Sequence, residues 1–307
     1  MVVCRVYSLI TGRRMVSLPF SDHCEPLFER PEQLQDLLHS VELDCISERC
    51  KYLEIRTRTV LTASPKGLQS AQVFCSHSVD LTPGIEDIFR RLHKDSTQRK
   101  IRRAERESVI YEEGRSEALL EKFYQLLLRT RRRHHLPPPP RVWFRNLLDC
   151  LGENIRLSVA SKDGQTIASI VTLYFKDVLV YKYGCSDERF HNLGGTHLLL
   201  WNALQAGKKK GAREFDLGRS DCENAGLITF KDRWGAARSE LTYWRYPAST
   251  VARSVLPSIP DPLLTAALRT RMAKRIFPLI PDRILIVASR LFYKHLGCFL
   301  VFQLALS

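Results

Sequence analysis

Asp216 and Lys231 bracket the stretch FDLGRSDCENAGLITFKDRWG, residues 215–235, and are the side chains whose types best suit chemistry. A carboxylate at a strand end can take a proton from an attacking amine. A lysine after an aromatic can offset charge in a tetrahedral intermediate or hold a phosphate. Phe230, Trp234 and Arg219 in the same stretch are candidate substrate-binding residues. A structural ion pair, Asp216 with Arg219 or with Lys231, is the plain alternative. Residue type and spacing leave both readings open for Asp216 and lean toward chemistry for Lys231.

A second constellation precedes this stretch. Gly194-Gly195-Thr196 opens a predicted helix over 196–208, where backbone N–H groups and the helix dipole can meet a phosphate and glycine lets the ligand approach closely. A glycine pair before a helix is also an ordinary turn, so the motif gains weight from its place after the strand that ends in Tyr181-Lys182-Tyr183-Gly184. Alternation puts Tyr181 and Tyr183 on one strand face and Lys182 on the other. The tyrosines can then line a substrate, and the strand end can offer backbone donors to a developing oxyanion. No Ser/His/Asp or Cys/His arrangement is read from the order of residues. The histidines read as surface or core groups, and direct transfer without a covalent enzyme intermediate is expected.

These groups need strands and helices to hold them. A hairpin is predicted at 2–20, a helix at 33–50 and strands at 51–60 and 72–81. Thr82-Pro83 reads as the start of a long helix that runs into the basic segment 99–106. A strand at 108–112, helices at 117–135 and 142–151, and a hairpin 155–175 turning at Lys162-Asp163-Gly164 follow. Strands at 178–183, 213–217 and 240–246 and helical segments at 196–208 and 224–234 complete the plan. A helix-like piece at 263–276 lies in a proline-punctuated basic tail.

Length and charge bound the partners. The chain has 307 residues, enough for two domains, and 47 Lys and Arg against 33 Asp and Glu give a formal charge of +14. Such a surface favours nucleic acid, anionic lipid or a phosphorylated ligand. The run RTRRRHH at 129–135 fits a nucleic-acid patch or a solvated helix face, and the basic segment 99–106 lacks the aromatic interleaving that base stacking needs. Nine cysteines without a CxxC pair read as reduced thiols, and no metal site is expected. No export signal is read at the N-terminus, and no apolar run reaches the ~18 residues of a membrane-spanning helix.

Several blocks in order resemble the FemAB-like branch of the GNAT acyltransferase superfamily, the group related to the peptidoglycan interpeptide-bridge transferases. The resemblance covers residues 13–247 and rests on RRMVSLPFSDHCEPL, KYLEIRT, QRKIRRAER, TRRRHHLPPPPR, YKYGCSD, HLLLWNAL, FDLGRSD and FKDRWGA. It implies an α/β fold of two GNAT-like domains in tandem, with mixed, mostly antiparallel sheets flanked by helices. A first domain at 1–82 would lack its initial strand and helix. A basic connector helix at 83–107, a second domain at 108–247 and a basic appendage at 248–307 would follow. The implied function is N-acyl or aminoacyl transfer to an amine of a cell-envelope or polysaccharide precursor. Acyl-CoA or aminoacyl-tRNA would be the donor, and a phosphorylated or lipid-linked amine the acceptor. The resemblance places Phe230-Lys231 near the transferred group and Gly194, Gly195 and Thr196 at the donor phosphate. The turn fits the acyl-CoA pattern (Q/R)xxGx(G/A) only loosely, with His191 first and Thr196 last, so the donor stays open. A cytoplasmic location with peripheral contact at the inner membrane face is expected. The alternative is an inactive GNAT-like module that binds a polyanion or membrane surface.

Overall fold

Asp163 and Gly164 both have positive φ, +49° and +75°, the left-handed pair that a two-residue hairpin requires. They join β6 (Ile155–Lys162) to β7 (Gln165–Phe175), the expected hairpin, with Lys162 drawn from the expected turn into a pair with Gln165. The computed structural model that shows this describes residues 1–8, 12–58, 67–247, 281, 284–287, 289 and 293. The expected helix at 263–276 lies outside the described residues. The described cysteines form no disulfide.

The chain divides into two compact units. The first takes Met1–Cys75 and the strand segment from Glu240. Its β1 (Cys4–Ser8) and β2 (Gly12–Val16) form the expected hairpin, and β3 (Tyr52–Thr57) runs parallel to β2. The last strand, β10 (Ala237–Pro247), pairs antiparallel with β3. The helix α1 (Pro31–Ser47) covers a core of Met15, Leu38, Cys45, Leu53 and Ile55. Its start is fixed by Pro31 in the first turn and by Gln33, whose Oε1 accepts from the backbone N–H groups of Glu29 and Arg30. Glu54 is buried between Arg56 and Arg245, with contacts of 2.7 Å to each. Burial alone would raise its pKa, but the two guanidinium groups outweigh that and hold it below the usual carboxylate range.

The second unit, Ser76–Ser239 with described residues between 281 and 289, is the larger. The end of β4 (Gln69–Asp80) borders β9 (Glu214–Asp221), and the order continues through β8 (Val178–Ser186), β7, β6 and β5 (Ile110–Gly114). Strands β5 to β8 are antiparallel, and β9 is parallel to β8 across the helix α6 (Gly195–Lys209). One face packs α4 (Glu117–Arg133) and α5 (Arg141–Leu151), with Phe123, Phe144 and Tyr183 at its centre. The opposite face packs α6 against Ile170, Tyr181 and Phe215. Residues 83–107, expected as one helix, form two: α2 (Ile85–Arg91) and α3 (Arg99–Arg106), separated by a π turn over Lys94–Gln98. His93 causes the break, since its Nδ1 accepts from the backbone of Ser96 and so starts a new turn. Thr82 is not the N-cap. Its N–H and hydroxyl both donate to Asp80 Oδ1, closing a turn ahead of the helix.

Candidate active site

The parallel pairing of β8 with β9 holds over Val178–Val180 opposite Glu214–Asp216 and stops there, although both strands continue. Beyond that point the strands part. On its other edge β8 carries a bulge, because Val171 of β7 faces Tyr183 while the next residue, Thr172, faces Tyr181. Lys182 is the extra residue. Its insertion resets the alternation, so Tyr181 belongs to the α6-side core and Tyr183 to the α4-side core. The shared face expected for the two tyrosines is therefore corrected: both are buried, on opposite sides of the sheet. Tyr183 accepts at its hydroxyl from Trp143 Nε1, 3.1 Å away. Tyr181 lies over Gly184, where any Cβ would collide with the phenol.

A cavity of about 440 Å³ opens at the end of β8, at the start of α6. Gly194, Gly195, Thr196 and His197 form one side, and Ala225, Gly226, Thr229, Phe230 and Arg233 form another. The latter set follows the helical repeat of α7 (Ala225–Asp232) and its C-cap. Ser96, Thr97 and Lys100 supply a third side, from the π turn and α3. Gly194 is required by the backbone: its φ is +75°, and a Cβ there would sit 2.3 Å from the carbonyl oxygen of Lys100. Helix geometry leaves the first N–H groups of α6 without intrahelical acceptors. Lys100 and Arg233 line the same space, and among the described residues no carboxylate does. Burial, followed by Arg233 and Arg99, lowers the pKa of Lys100. The site is an uncompensated positive pocket with hydroxyl donors, suited to a phosphate group.

Two histidines missed by residue-level reading line it as well. His191 Nε2 lies 2.8 Å from Ser186 Oγ, and burial, then Arg133 and Lys100, lowers the histidine pKa. This is a Ser/His contact alone, with the nearby Asp187 engaged by Arg129 and Arg189 instead of by His191. His197 is 7% exposed and sits edge-on to Phe230 with centroids 5.5 Å apart, while its ring stacks on Trp234 at 6.1 Å. Burial, with Lys100, His191 and Arg233 beyond it, pushes its pKa down to about 3. The available signal was spacing, since His191 and His197 flank the glycine pair. Phe230 is part of the cavity wall, whereas Trp234 is fully buried behind it.

The other predicted site residues lie off the cavity. Lys231 follows Phe230 on a helix, and successive helical residues are turned by about 100°. Its side chain leaves the cavity side and is 0% exposed, with Nζ donating to the carbonyls of Gly218 and Arg219, each at 2.9 Å. Asp216 Oδ1 accepts from Gly218 N–H at 2.6 Å. The two charged residues thus grip Gly218, whose φ is +73°, by its two backbone groups. They hold β9 in a bent path just beyond its last pair with β8. Arg219 is half-buried on the same bend and does not line the cavity.

Residues 91–231 match the family model of the acetyltransferase (GNAT) domain, and this stretch holds every cavity residue except Arg233. The chain carries a GNAT acyltransferase-type domain, with the helix-flanked mixed α/β sheet of that fold. Among solved structures, FemX is similar at 14% identity and a TM-score of 0.58, covering 76% of this chain and 81% of that one. The C-terminal domain of a putative lysylphosphatidylglycerol synthetase from Agrobacterium fabrum is similar at 14% identity and a TM-score of 0.57, covering 87% and 88%. L-PGS from Bacillus licheniformis, at 16% identity and a TM-score of 0.56, covers 88% and 90%. At these identities the likeness is one of fold. No curated protein matches the chain by sequence.

Proposed function

We propose that this chain is an N-acyltransferase that moves an acyl or aminoacyl group from a phosphate-bearing donor, acyl-CoA or aminoacyl-tRNA, to an amine. The observation that carries the reading is the acid-free cavity at the start of α6, where Lys100 and Arg233 join the N–H groups after Gly194. In this reading Gly194, Gly195 and Thr196 hold the donor phosphate and Phe230 walls the ligand, with Trp234 backing it. The acceptor amine attacks the acyl carbon, a C–N bond forms, and the C–S or C–O bond to the donor breaks. Asp216 and Lys231 act through β9: their grip on Gly218 sets the course of the strand beside the cleft. Tyr181, Tyr183 and Arg219 are assigned to the scaffold around it, on the strength of their burial or position off the cavity.

The acceptor we propose is an amine of a cell-envelope precursor, phosphorylated or lipid-linked. Its support is the fold shared with FemX and with proteins named for lysylphosphatidylglycerol, a phospholipid carrying an amino acid. A cytoplasmic enzyme that touches the inner membrane face follows from that acceptor and from the net charge of +14. Among the described residues no helix is long and apolar enough to cross a membrane. The division of the chain into two compact units supports a tandem of GNAT-like domains.

Thermal-shift and transfer assays with acetyl-CoA, a long-chain acyl-CoA, lysyl-tRNA and uncharged tRNA test the reading. One activated donor should raise the melting temperature, and Lys100→Ala combined with Arg233→Ala should abolish the rise. If no activated donor binds, while RNA and anionic vesicles do so with steep salt dependence, the chain is a binding module instead.

A further inference from the structure

We propose that Ser186 and His191 form the proton relay that activates the acceptor amine, an assignment that rests on the acyl-transfer reading above. Ser186 ends β8 six residues past its last pair with β9, and Ser186 and His191 both line the cavity, with Oγ and Nε2 2.8 Å apart. The pair is held from behind. Thr130 of α4 fixes the Ser186 backbone from both sides, its hydroxyl donating to the carbonyl and accepting from the N–H, each at 3.2 Å. His191 rides on the 3-10 turn Glu188–Leu193, begun by Asp187, whose Oδ1 accepts from the Arg189 N–H at 3.1 Å. Asp187 is anchored in turn by Arg129 at 3.2 Å and by the Arg189 guanidinium at 2.6 Å. The burial and neighbouring cations described above favour the neutral imidazole, and the proposed relay uses its Nδ1–H tautomer, in which Nε2 accepts from the serine hydroxyl.

The chemistry closes without a covalent enzyme intermediate. As the amine nitrogen bonds to the acyl carbon, it gives its proton to Ser186 Oγ, and the serine proton passes to His191 Nε2. The bond from the acyl carbon to the donor breaks, and the imidazolium returns its proton to the departing thiolate or alkoxide. One restriction follows. The relay and the phosphate anchors line a single cavity of about 440 Å³. A ribose ester keeps its acyl group within one sugar of a phosphate, whereas a thioester sits at the far end of a pantetheine arm. The relay therefore fits a ribose-ester donor.

The experiment compares wild type with His191→Ala, His191→Gln and Ser186→Ala. Binding is read by thermal shift, and transfer is read from lysyl-tRNA or acetyl-CoA to glucosamine or to phosphatidylethanolamine vesicles. The expected result is transfer from lysyl-tRNA, with donor binding retained in all variants and turnover in His191→Ala lower by about 10²–10⁴-fold. Added imidazole should restore part of the His191→Ala activity, which a merely structural histidine would not allow. His191→Gln, closer in size, replaces the alanine variant if that one does not fold. Wild-type turnover in these variants overturns the relay and leaves the acyltransferase reading standing. Loss without imidazole rescue, or transfer from acetyl-CoA alone, also overturns it. A wild-type protein that binds neither donor and transfers nothing removes the acyltransferase reading and the relay together.

Discussion

Lys100 and Lys231 belong to the same unit, on helices that border one cavity, and show how differently one residue type can be used. Lys100 leaves α3 into a cavity that offers hydroxyls and helix N–H groups but no carboxylate. Lys231 leaves α7 into the protein, fully buried, and spends its donors on the carbonyls of Gly218 and Arg219. The first is a charge awaiting an anion from outside. The second is a strut for a bent strand. An ammonium group in a sequence announces charge and reach, and only its packing decides between recognition and support.

Substituting each lysine in turn puts the contrast to its severest test. Lys231→Ala empties a sealed site and strips two buried carbonyls of a donor, so urea unfolding should show a loss of about 2–5 kcal/mol. Lys100→Ala should move stability by no more than about 0.5 kcal/mol while weakening donor binding. An unchanged Lys231→Ala midpoint combined with lost transfer would reverse the assignment and give Lys231 the direct chemical role.

Gly194 sharpens the cavity side. Gly194→Ala forces a side chain into a φ of +75° and against the Lys100 carbonyl, which should cost about 1–3 kcal/mol and displace Lys100 from the ligand. Calorimetry should therefore show weaker donor binding together with a lower melting temperature. Unaltered binding would mean that the turn is not the phosphate site.

A further test concerns protons. His134 and His197 have folded pKa values pushed from 6.5 down to about 4 and about 3, in both cases chiefly by burial. Above pH 6.5 each is neutral whether folded or not and contributes no pH dependence. Below it the unfolded chain takes up protons that the folded chain refuses, so stability falls as the pH drops toward the folded values. Each histidine adds a slope of about 1.4 kcal/mol per pH unit in that window. Denaturation midpoints in urea between pH 7 and 5 should show the decline, and His197→Phe should flatten it.

Much of the scaffold was legible. The Lys162-Asp163-Gly164 turn and its flanking strands depend on local chemistry alone, as does the glycine turn at 194–195, whose φ requirement is intrinsic to the chain. What escaped depends on distant partners. The fate of Lys231 was set by carbonyls twelve and thirteen residues earlier, on β9. The pair of Ser186 and His191 arises from a turn that folds five residues back on themselves. Arg233 could have been found, because Gly226, Thr229, Phe230 and Arg233 share a helical stripe. The two-helix break at His93 hid inside a run whose composition favours helix throughout.

The bulge at Lys182 carries a consequence for how the gene can vary. That residue makes β8 one position longer than its partner and sends Tyr181 and Tyr183 into different cores. Loss of its codon would only remove the bulge, since Tyr181 and Tyr183 would become adjacent and still alternate between the layers. A codon inserted opposite it, between Val171 and Thr172 of β7, would instead restore regular pairing and steer both rings toward one layer. The backbone of Lys182 is thus a spacer on one strand with no counterpart on the other.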